Sequence, residues 1–332
     1  MNEQTPLVSI CCLAYNHAPY IRQCLDGFMM QKTDSPFEVL IHDDASTDGT
    51  ADIIREYEAK YPDIIKPIYQ TENQYSKGVG VTSVYQLPRA KGKYVAFCEG
   101  DDYWTDSNKL QKQVDFLETN PDFSICCHRY KIFNEDTKEW TPDLGHLLFD
   151  KNPEGITFDN EINFTKCWLT KTMTVVFRQA YLDLQILYEY KYTRDMHLFY
   201  HLLDNGKGYC MNYDAAVYRI HTGGVWSLKE KMGKLHSNLN VYGELYNHNK
   251  SDMLLHKIMS GLQIELYTDF ISPKPPFFHF DTLKKLIKIY TECIKKPLLL
   301  YPVFCAINLV KRFFRLLSYH NKATISTTNF NG

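Results

Sequence analysis

Through the first half of the 332-residue chain, apolar positions alternate between two spacings. Leu7 to Leu13 is a near-continuous apolar run of strand length, the pattern of a parallel strand buried on both faces. Ile21, Cys24, Leu25 and Phe28 then recur at helical spacing. Phe37 to Ile41 predicts a second strand, running into His42-Asp43-Asp44. Ser46, Thr47 and Asp48 suit the start of a helix that carries Ile53, Ile54 and Tyr57 and stops before Pro62. Ile64 to Tyr69 reads as a third strand, and a short helix is expected before Gly92. Tyr94 to Cys98 reads as a fourth strand, ending in Glu99-Gly100-Asp101-Asp102. Ser107 can cap the next helix, whose apolar face is Leu110, Val114 and Leu117.

Strands alternating with helices in this way predict an α/β protein with a doubly wound, mostly parallel sheet. Ligands of such sheets bind beyond the carboxyl ends of the strands, where both Asp-rich clusters fall. Further strands are expected over residues 123–133, 173–177 and 215–220. A helix should run from near Asp195 to near Gly206, and residues 135–160 have the composition of a loop over the site. From Leu228 onward the pattern becomes helical. Leu283, Leu286, Ile287, Tyr290 and Ile294 form an apolar stripe among lysines, and residues 298–310 are almost wholly apolar before Lys311, Arg312 and Arg315. That run is shorter than the roughly 18–20 residues a membrane span needs. It suits either a helix docked on the main domain or a basic amphipathic helix on an anionic membrane surface. The expected division is a domain over 1–225, a C-terminal helical extension over 226–318 and a disordered tail over 319–332.

Hydrophobic residues make up 44% of the chain, enough for a sizeable core, and the formal net charge of -2 offers no field for nucleic acid. The ten cysteines include no C-x-x-C and sit mainly in apolar runs, as buried reduced thiols do. With an opening strand so near the N-terminus no signal peptide is expected, which implies a cytoplasmic, reducing compartment. Phosphate-loop and nucleophile-elbow motifs are absent from the sequence, and Gly78-Val79-Gly80 lacks the third glycine of a dinucleotide fingerprint.

The acidic clusters carry the chemistry. Glu99, Asp101 and Asp102 lie within four residues at a strand end, where like charges repel unless a cation intervenes. Oxygen ligands favour a hard divalent ion, Mg²⁺ or Mn²⁺, able to bridge diphosphate oxygens. A solvated acidic turn would have the same composition. In the Asp43–Thr50 cluster a carboxylate can accept from a base N–H or a ribose hydroxyl, and helix capping explains Ser46, Thr47 and Asp48 but not Asp43.

Together the Val8–Asn16 strand, the Asp43–Thr50 cluster and the Gly92–Asp102 stretch resemble the family-2 glycosyltransferases of the GT-A fold, over about residues 6–225. The resemblance implies inverting transfer of a sugar from a nucleoside-diphosphate donor, a UDP-sugar, to a glycan or lipid-linked acceptor. It implies that Ala14 and Tyr15 wall the nucleobase pocket and that Asp43 binds the base edge. Glu99 matches the first position of the family's D-x-D motif, ordinarily Asp, near the ribose. Asp101 matches the last, the metal ligand, and Asp102 follows to hold metal or donor sugar. The catalytic base of the family sits at a later helix start, matched by Asp195 in Thr193-Arg194-Asp195-Met196-His197, although Arg194 stands where Glu is frequent. His221, in Tyr218-Arg219-Ile220-His221, fits a metal or diphosphate ligand, and Trp104 and Trp226 could stack on sugars, although core packing explains an aromatic equally well. A family member with a basic apolar tail would act at the inner face of the cell membrane as a peripheral protein. Two other readings use the same residues: a metal-dependent nucleotidyltransferase, which would release pyrophosphate, and a non-catalytic sugar- or nucleotide-binding module.

Overall fold

The computed structural model of the chain describes residues 5–191, 193–224 and 230–271. It is an α/β structure around one curled sheet. β1 (Val8–Ala14), β2 (Phe37–Asp43), β3 (Ile65–Tyr69) and β4 (Tyr94–Phe97) lie parallel in the order β3-β2-β1-β4. Burial on both faces explains why β1, β2 and β4 are nearly uninterrupted apolar runs. Beyond β4 the sheet turns mixed. β9 (Val176–Arg178) runs antiparallel to β4 and to β6 (Phe123–Asn134), and β10 (Lys207–Ile220) runs parallel to β6. The two-residue β5 (Tyr103–Trp104) closes that edge against β10.

Helices cover both faces. α1 (Ile21–Met29) buries Ile21, Cys24, Leu25 and Phe28, the positions whose spacing predicts it. α2 (Thr50–Lys60) and α3 (Lys109–Thr119) likewise bury the expected apolar faces. α4 (Leu184–Glu189) and α5 (Asp195–Asn205) follow β9. α6 (Lys231–His248) and α7 (Met253–Ile271) come last, and Leu235, Leu239, Tyr242, Leu245, Leu255 and Met259 join the same apolar cluster as Phe199 and Leu202 of α5. Among the described residues no helix is long and apolar enough to cross a membrane. All eight cysteines among them are free, and all but Cys167 are buried.

Several local expectations are corrected. Residues 135–160 are not a plain loop. They hold β7 (Trp140–Pro142), a single turn at His146–Phe149 and β8 (Gly155–Phe158), because β10 is long enough to offer β8 a pairing edge and Phe158 plugs the core. The strand expected over 173–177 begins only at Val176, after a tight turn at Thr172–Thr174. Neither Ser46 nor Thr47 caps α2, while Asp48 Oδ1 accepts from the backbone N–H of Thr50, the first residue of α2, at 3.0 Å. The N-cap of α2 is Gly49 at φ 95°, a conformation glycine adopts without strain. α3 follows Asn108 with no side-chain cap, so Ser107 does not cap it. Trp226, the stripe over 283–294, the run over 298–310 and the tail over 319–332 lie outside the described residues.

One buried charge stands out. Lys109, at the start of α3, is fully buried with its Nζ 4.1 Å from the Trp104 ring centroid and no hydrogen-bond partner. Burial pushes its pKa down from 10.5 to about 7. Below pH 7 the folded protein carries a buried ammonium at full cost. Between pH 7 and 10.5 the unfolded chain binds a proton that the native state does not, so this contribution to stability rises with pH. Urea unfolding at pH 6, 8 and 10 is expected to show Lys109→Met more stable than wild type at pH 6, with the gap closing toward pH 10. A gap independent of pH would show that Lys109 is not desolvated as described.

Candidate active site

The carboxyl ends of β1, β2 and β4 are stitched together by side chains from neighbouring loops. Asn16, at φ 55°, donates its backbone N–H to Ser46 Oγ at 2.9 Å, and its Oδ1 accepts from Thr47 N–H at 2.8 Å. The backbone N–H of His17 donates to Thr50 Oγ1 at 2.8 Å and that of Ala18 to Asp48 Oδ2 at 2.9 Å. Residues that resemble helix caps in the sequence therefore tie two loops to each other. Beside this tie Ala14 is buried, paired in register with Asp43, while Tyr15 is 45% exposed at the strand end. Asp43 is buried. Its Oδ2 accepts from Ser46 N–H at 3.3 Å, but its Oδ1 has no hydrogen-bond partner among the described residues. Such an enclosed acceptor is costly unless a donor reaches it. Asp44 turns the other way and accepts from the backbone N–H groups of Gln74 and Tyr75 at 2.8 and 3.0 Å.

At the end of β4, oxygens of Glu99, Asp101 and Asp102 lie within 4.8 Å of one another. Gly100 makes this turn possible: a Cβ there would fall 2.8 Å from Ile21 Cδ1 and 3.2 Å from Leu13 O. Asp102 Oδ1 accepts from Arg219 N–H at 2.8 Å, and Asp101 Oδ2 lies 3.1 Å from His221 Nε2 and 3.7 Å from His17 Nε2. Asp101 Oδ1 and Asp102 Oδ2 are buried without a partner. Burial would raise the Asp101 pKa, but the hydrogen bond from His221 and the nearby His17 hold it below the usual carboxylate value. Asp102 is pushed well above it by burial and by Asp101 and Glu99. Glu99, half-buried, is pushed up to about 8 by burial, then by Asp101 and Asp195. Two orphaned carboxylate oxygens beside an imidazole, in a crowd of like charges, form a donor set that fits a divalent ion of the Mn²⁺ or Mg²⁺ kind.

Asp195 is the first residue of α5, and it is near enough to the cluster to raise Glu99. One side of Asp195 is open to solvent, yet surrounding protein atoms desolvate the carboxyl enough to raise its pKa, against the pull of Lys171 and Arg194. Arg194 reaches across to Tyr75, with its guanidinium 5.0 Å from the ring centroid and touching the hydroxyl. The structure thus gathers Glu99, Asp101, Asp102, His221 and Asp195, with Asp43, Ala14 and Tyr15 at the adjacent strand ends. Trp104 is not part of the site. It is 2% exposed, packs on Phe28 and donates its indole N–H to Met173 O.

Four further residues belong to this site, and the sequence alone gives none of them a role of its own. His17 faces Asp101. Lys171 holds Nζ 4.4 Å from the Tyr218 ring centroid, and its charge lowers Glu99, Asp102 and Asp195 together. Tyr218 feels the same carboxylates, which with burial raise its pKa. Arg219 is sandwiched between Tyr20 and Tyr103 and donates to Gln23 Oε1 at 2.6 Å. The Tyr218-Arg219 dipeptide beside His221 was a visible signal. For His17 and Lys171 there was none, because their partners are distant in sequence.

A parallel half-sheet in the order 3-2-1-4, with carboxylates beyond its strand ends and a mixed second half, is the arrangement of GT-A glycosyltransferases. The chain belongs to glycosyl transferase family 2, whose sequence pattern it matches over residues 9–185. The putative teichuronic acid biosynthesis glycosyltransferase TuaG of Bacillus subtilis is 30% identical over 235 residues, covering 70% of this chain and 87% of TuaG. Rv1520, an uncharacterized protein of Mycobacterium tuberculosis, is 47% identical over 131 residues, and that match spans 39% of this chain and only 36% of Rv1520. Among solved structures, S. aureus TarS 1–349 in complex with UDP-GlcNAc superposes with a TM-score of 0.63 at 19% identity, covering 87% of this chain and 80% of that one, which shows a shared fold. Asp195 and His221 lie beyond the matched family segment.

The raised Glu99 pKa gives a test of the crowding. Between pH 4.5 and 8 the folded protein keeps a proton on Glu99 that the unfolded chain has lost, so stability falls as pH rises and the full penalty is reached above 8. In chelator-treated protein, Glu99→Gln is expected to melt higher than wild type at pH 8.5 and level with it at pH 4.5. An equal difference at both values would refute the crowding.

Proposed function

We propose that this protein is an inverting, metal-dependent glycosyltransferase that moves a sugar from a UDP-sugar to an acceptor hydroxyl. The observation that carries the reading is the pairing of two kinds of unmet demand at adjacent strand ends. Asp43 Oδ1 is an enclosed acceptor without a donor among the described residues, and in the crowded Glu99-Asp101-Asp102 cluster Asp101 Oδ1 and Asp102 Oδ2 are buried oxygens without a hydrogen-bond partner.

Each demand matches one part of the donor. Uracil offers a single ring N–H, which Asp43 Oδ1 would accept while Ala14 and Tyr15 wall the base. Glu99 and Asp102 would face the ribose and the donor sugar. Asp101 and His221 would hold Mn²⁺ or Mg²⁺, which when bound neutralises diphosphate charge. Asp195 would take the acceptor proton as the acceptor oxygen bonds the anomeric carbon and the bond from that carbon to the diphosphate breaks. Attack from the far face inverts the configuration. A base with a raised pKa is better matched to a hydroxyl proton near neutral pH, and desolvation of Asp195 supplies that direction.

In this reading residues 1–225 form the transferase domain and 226–318 a helical extension. The name of TuaG supports a polysaccharide-type acceptor, in keeping with glycan or lipid-linked acceptors generally. Lys284, Lys285, Lys288, Lys295 and Lys296 beside an apolar stripe support contact with the inner face of a membrane as a peripheral protein.

Two measurements test this. Melting temperature is recorded with UDP, GDP, CDP or ADP, each with and without Mn²⁺, for wild type and Asp101→Ala. The expected result is a UDP shift that requires Mn²⁺ and vanishes in Asp101→Ala, because a ligand that binds only the native state stabilises it. A shift unchanged in Asp101→Ala would remove the cluster from the donor site. Asp195→Asn is expected to keep the UDP shift and to lose roughly 10²–10⁴-fold in kcat. Wild-type turnover in that variant would rule Asp195 out as base.

A further inference from the structure

The helix that presents Asp195 is anchored from an unexpected direction. His197, two residues on, is completely buried. Its Nδ1 accepts the backbone N–H of Arg194 at 3.1 Å, the residue just ahead of Asp195. With that lone pair used, the ring proton belongs on Nε2. Nε2 points to Glu244 Oε2 of α6, 3.4 Å away, a long electrostatic contact rather than a tight hydrogen bond. The other oxygen of the same carboxylate, Oε1, accepts the backbone N–H of Lys191 at 3.0 Å. Tyr190 covers the arrangement, with its ring 4.1 Å from that of His197, and its carbonyl accepts from Thr193 Oγ1 at 2.9 Å.

Glu244 therefore touches both ends of the segment that leads into Asp195: directly at Lys191, and through the imidazole at Arg194. We infer that Glu244 and His197 are positioning residues for the base, and that α6 thereby sets where the Asp195 carboxylate stands. The inference rests on Asp195 as the base. Neither residue is hydrogen-bonded to the Glu99-Asp101-Asp102 cluster. A charge on His197 would also act on Asp195 directly, and glutamine at 197, which carries none, separates that from the effect of backbone geometry. Burial of a histidine as plain core would need neither the Arg194 contact nor a carboxylate facing the opposite ring nitrogen.

Substitutions separate these possibilities. Gln at 244 cannot present oxygen to both N–H donors, since either orientation sets its NH₂ against one of them. Gln at 197 can accept from Arg194 N–H with its oxygen and donate toward Glu244 with its nitrogen, so it reproduces what the imidazole does. Amide exchange of the full chain by NMR and kcat for UDP release from UDP-glucose, UDP-galactose or UDP-GlcNAc with Mn²⁺ are the two readouts. His197→Ala is expected to speed exchange at Arg194 at least tenfold and to lower kcat at least tenfold, with the donor KM and the melting shift by UDP and Mn²⁺ unchanged. His197→Gln should restore most of both, and Glu244→Gln should reproduce the loss.

Unchanged exchange at Arg194 in His197→Ala, or no rescue by glutamine, overturns the inference even where no donor is turned over. If kcat stays within twofold of wild type in His197→Ala and Glu244→Gln while Asp195→Asn is inactive, the positioning role fails and the base assignment stands. If Asp195→Asn is fully active, the base assignment itself fails. Should His197→Ala not fold, Glu244→Gln and His197→Gln decide alone: normal kcat in Glu244→Gln overturns the inference.

Discussion

Crowded negative charge at the end of β4 is the constraint on which the rest of this structure depends. Three carboxylates within 4.8 Å are unfavourable in a poorly hydrated recess, and their pKa values split accordingly. Asp101 is held low by His221 and His17, while Asp102 and Glu99 are driven up by burial and by their neighbours. Lys171 partly offsets all three outer charges, at Glu99, Asp102 and Asp195. A fold keeps such an arrangement only when surrounding structure over-determines it, and here the scaffolding is dense. The Arg219 N–H fixes Asp102, stacked tyrosines fix the Arg219 guanidinium, and close packing of Gly100 against β1 fixes the turn.

The same logic explains the Asp43–Thr50 segment. Parallel strands end side by side, so their following loops must be held apart from helix starts yet joined to each other. Ser46 Oγ, Thr50 Oγ1 and Asp48 Oδ2 accept from the backbone of residues 16–18, and Asp48 Oδ1 accepts from Thr50 N–H. Gly49 then starts α2 with no side-chain cap, in a backbone conformation that suits glycine. What stays unspent is Asp43 Oδ1. In a region where nearly every polar atom is committed, an unpaired buried oxygen carries more information than an exposed acid would.

How much of this was legible in the sequence depends on the range of the interaction. Hydrophobic runs and their polar ends follow local rules, so β1 to β4, α1 to α3 and the placement of Asp43 and Asp101 at strand ends could be read directly. Side-chain destinations could not. Ser46 looks like a cap because capping is the commonest local use of such a residue, whereas its actual partner is Asn16, and Asp48 divides its oxygens between the start of α2 and Ala18. For Trp104 the sequence left sugar stacking and core packing open, and β5 sends it into the core against Phe28. Nothing in the sequence around Lys109 marks it as buried, and only the fold places it against the Trp104 ring. Residues 135–160 read as a loop because β7 and β8 are short and their pairing partners lie on β6 and β10.

The C-terminal helices illustrate the longest range of all. From sequence they form an appendage with its own periodicity. In the structure α6 shares an apolar cluster with α5, so its position is set by burial and not by a linker. A helix held by packing is rigid enough to carry a carboxylate to a fixed point, and Glu244 meets the Asp195 segment at two backbone-linked positions. The acidic turn and Asp195 sit on different elements, β4 and α5, with no covalent reason to keep a fixed separation. Tyr75 ties Arg194 to the segment that Asp44 holds, and Glu244 with His197 meets the same stretch from α6. Transfer between two bound molecules requires that separation to be held within about half an ångström. With Asp195 as the proposed base, a bracing helix beyond the sheet would be a functional part of the same site, however distant it is in the chain.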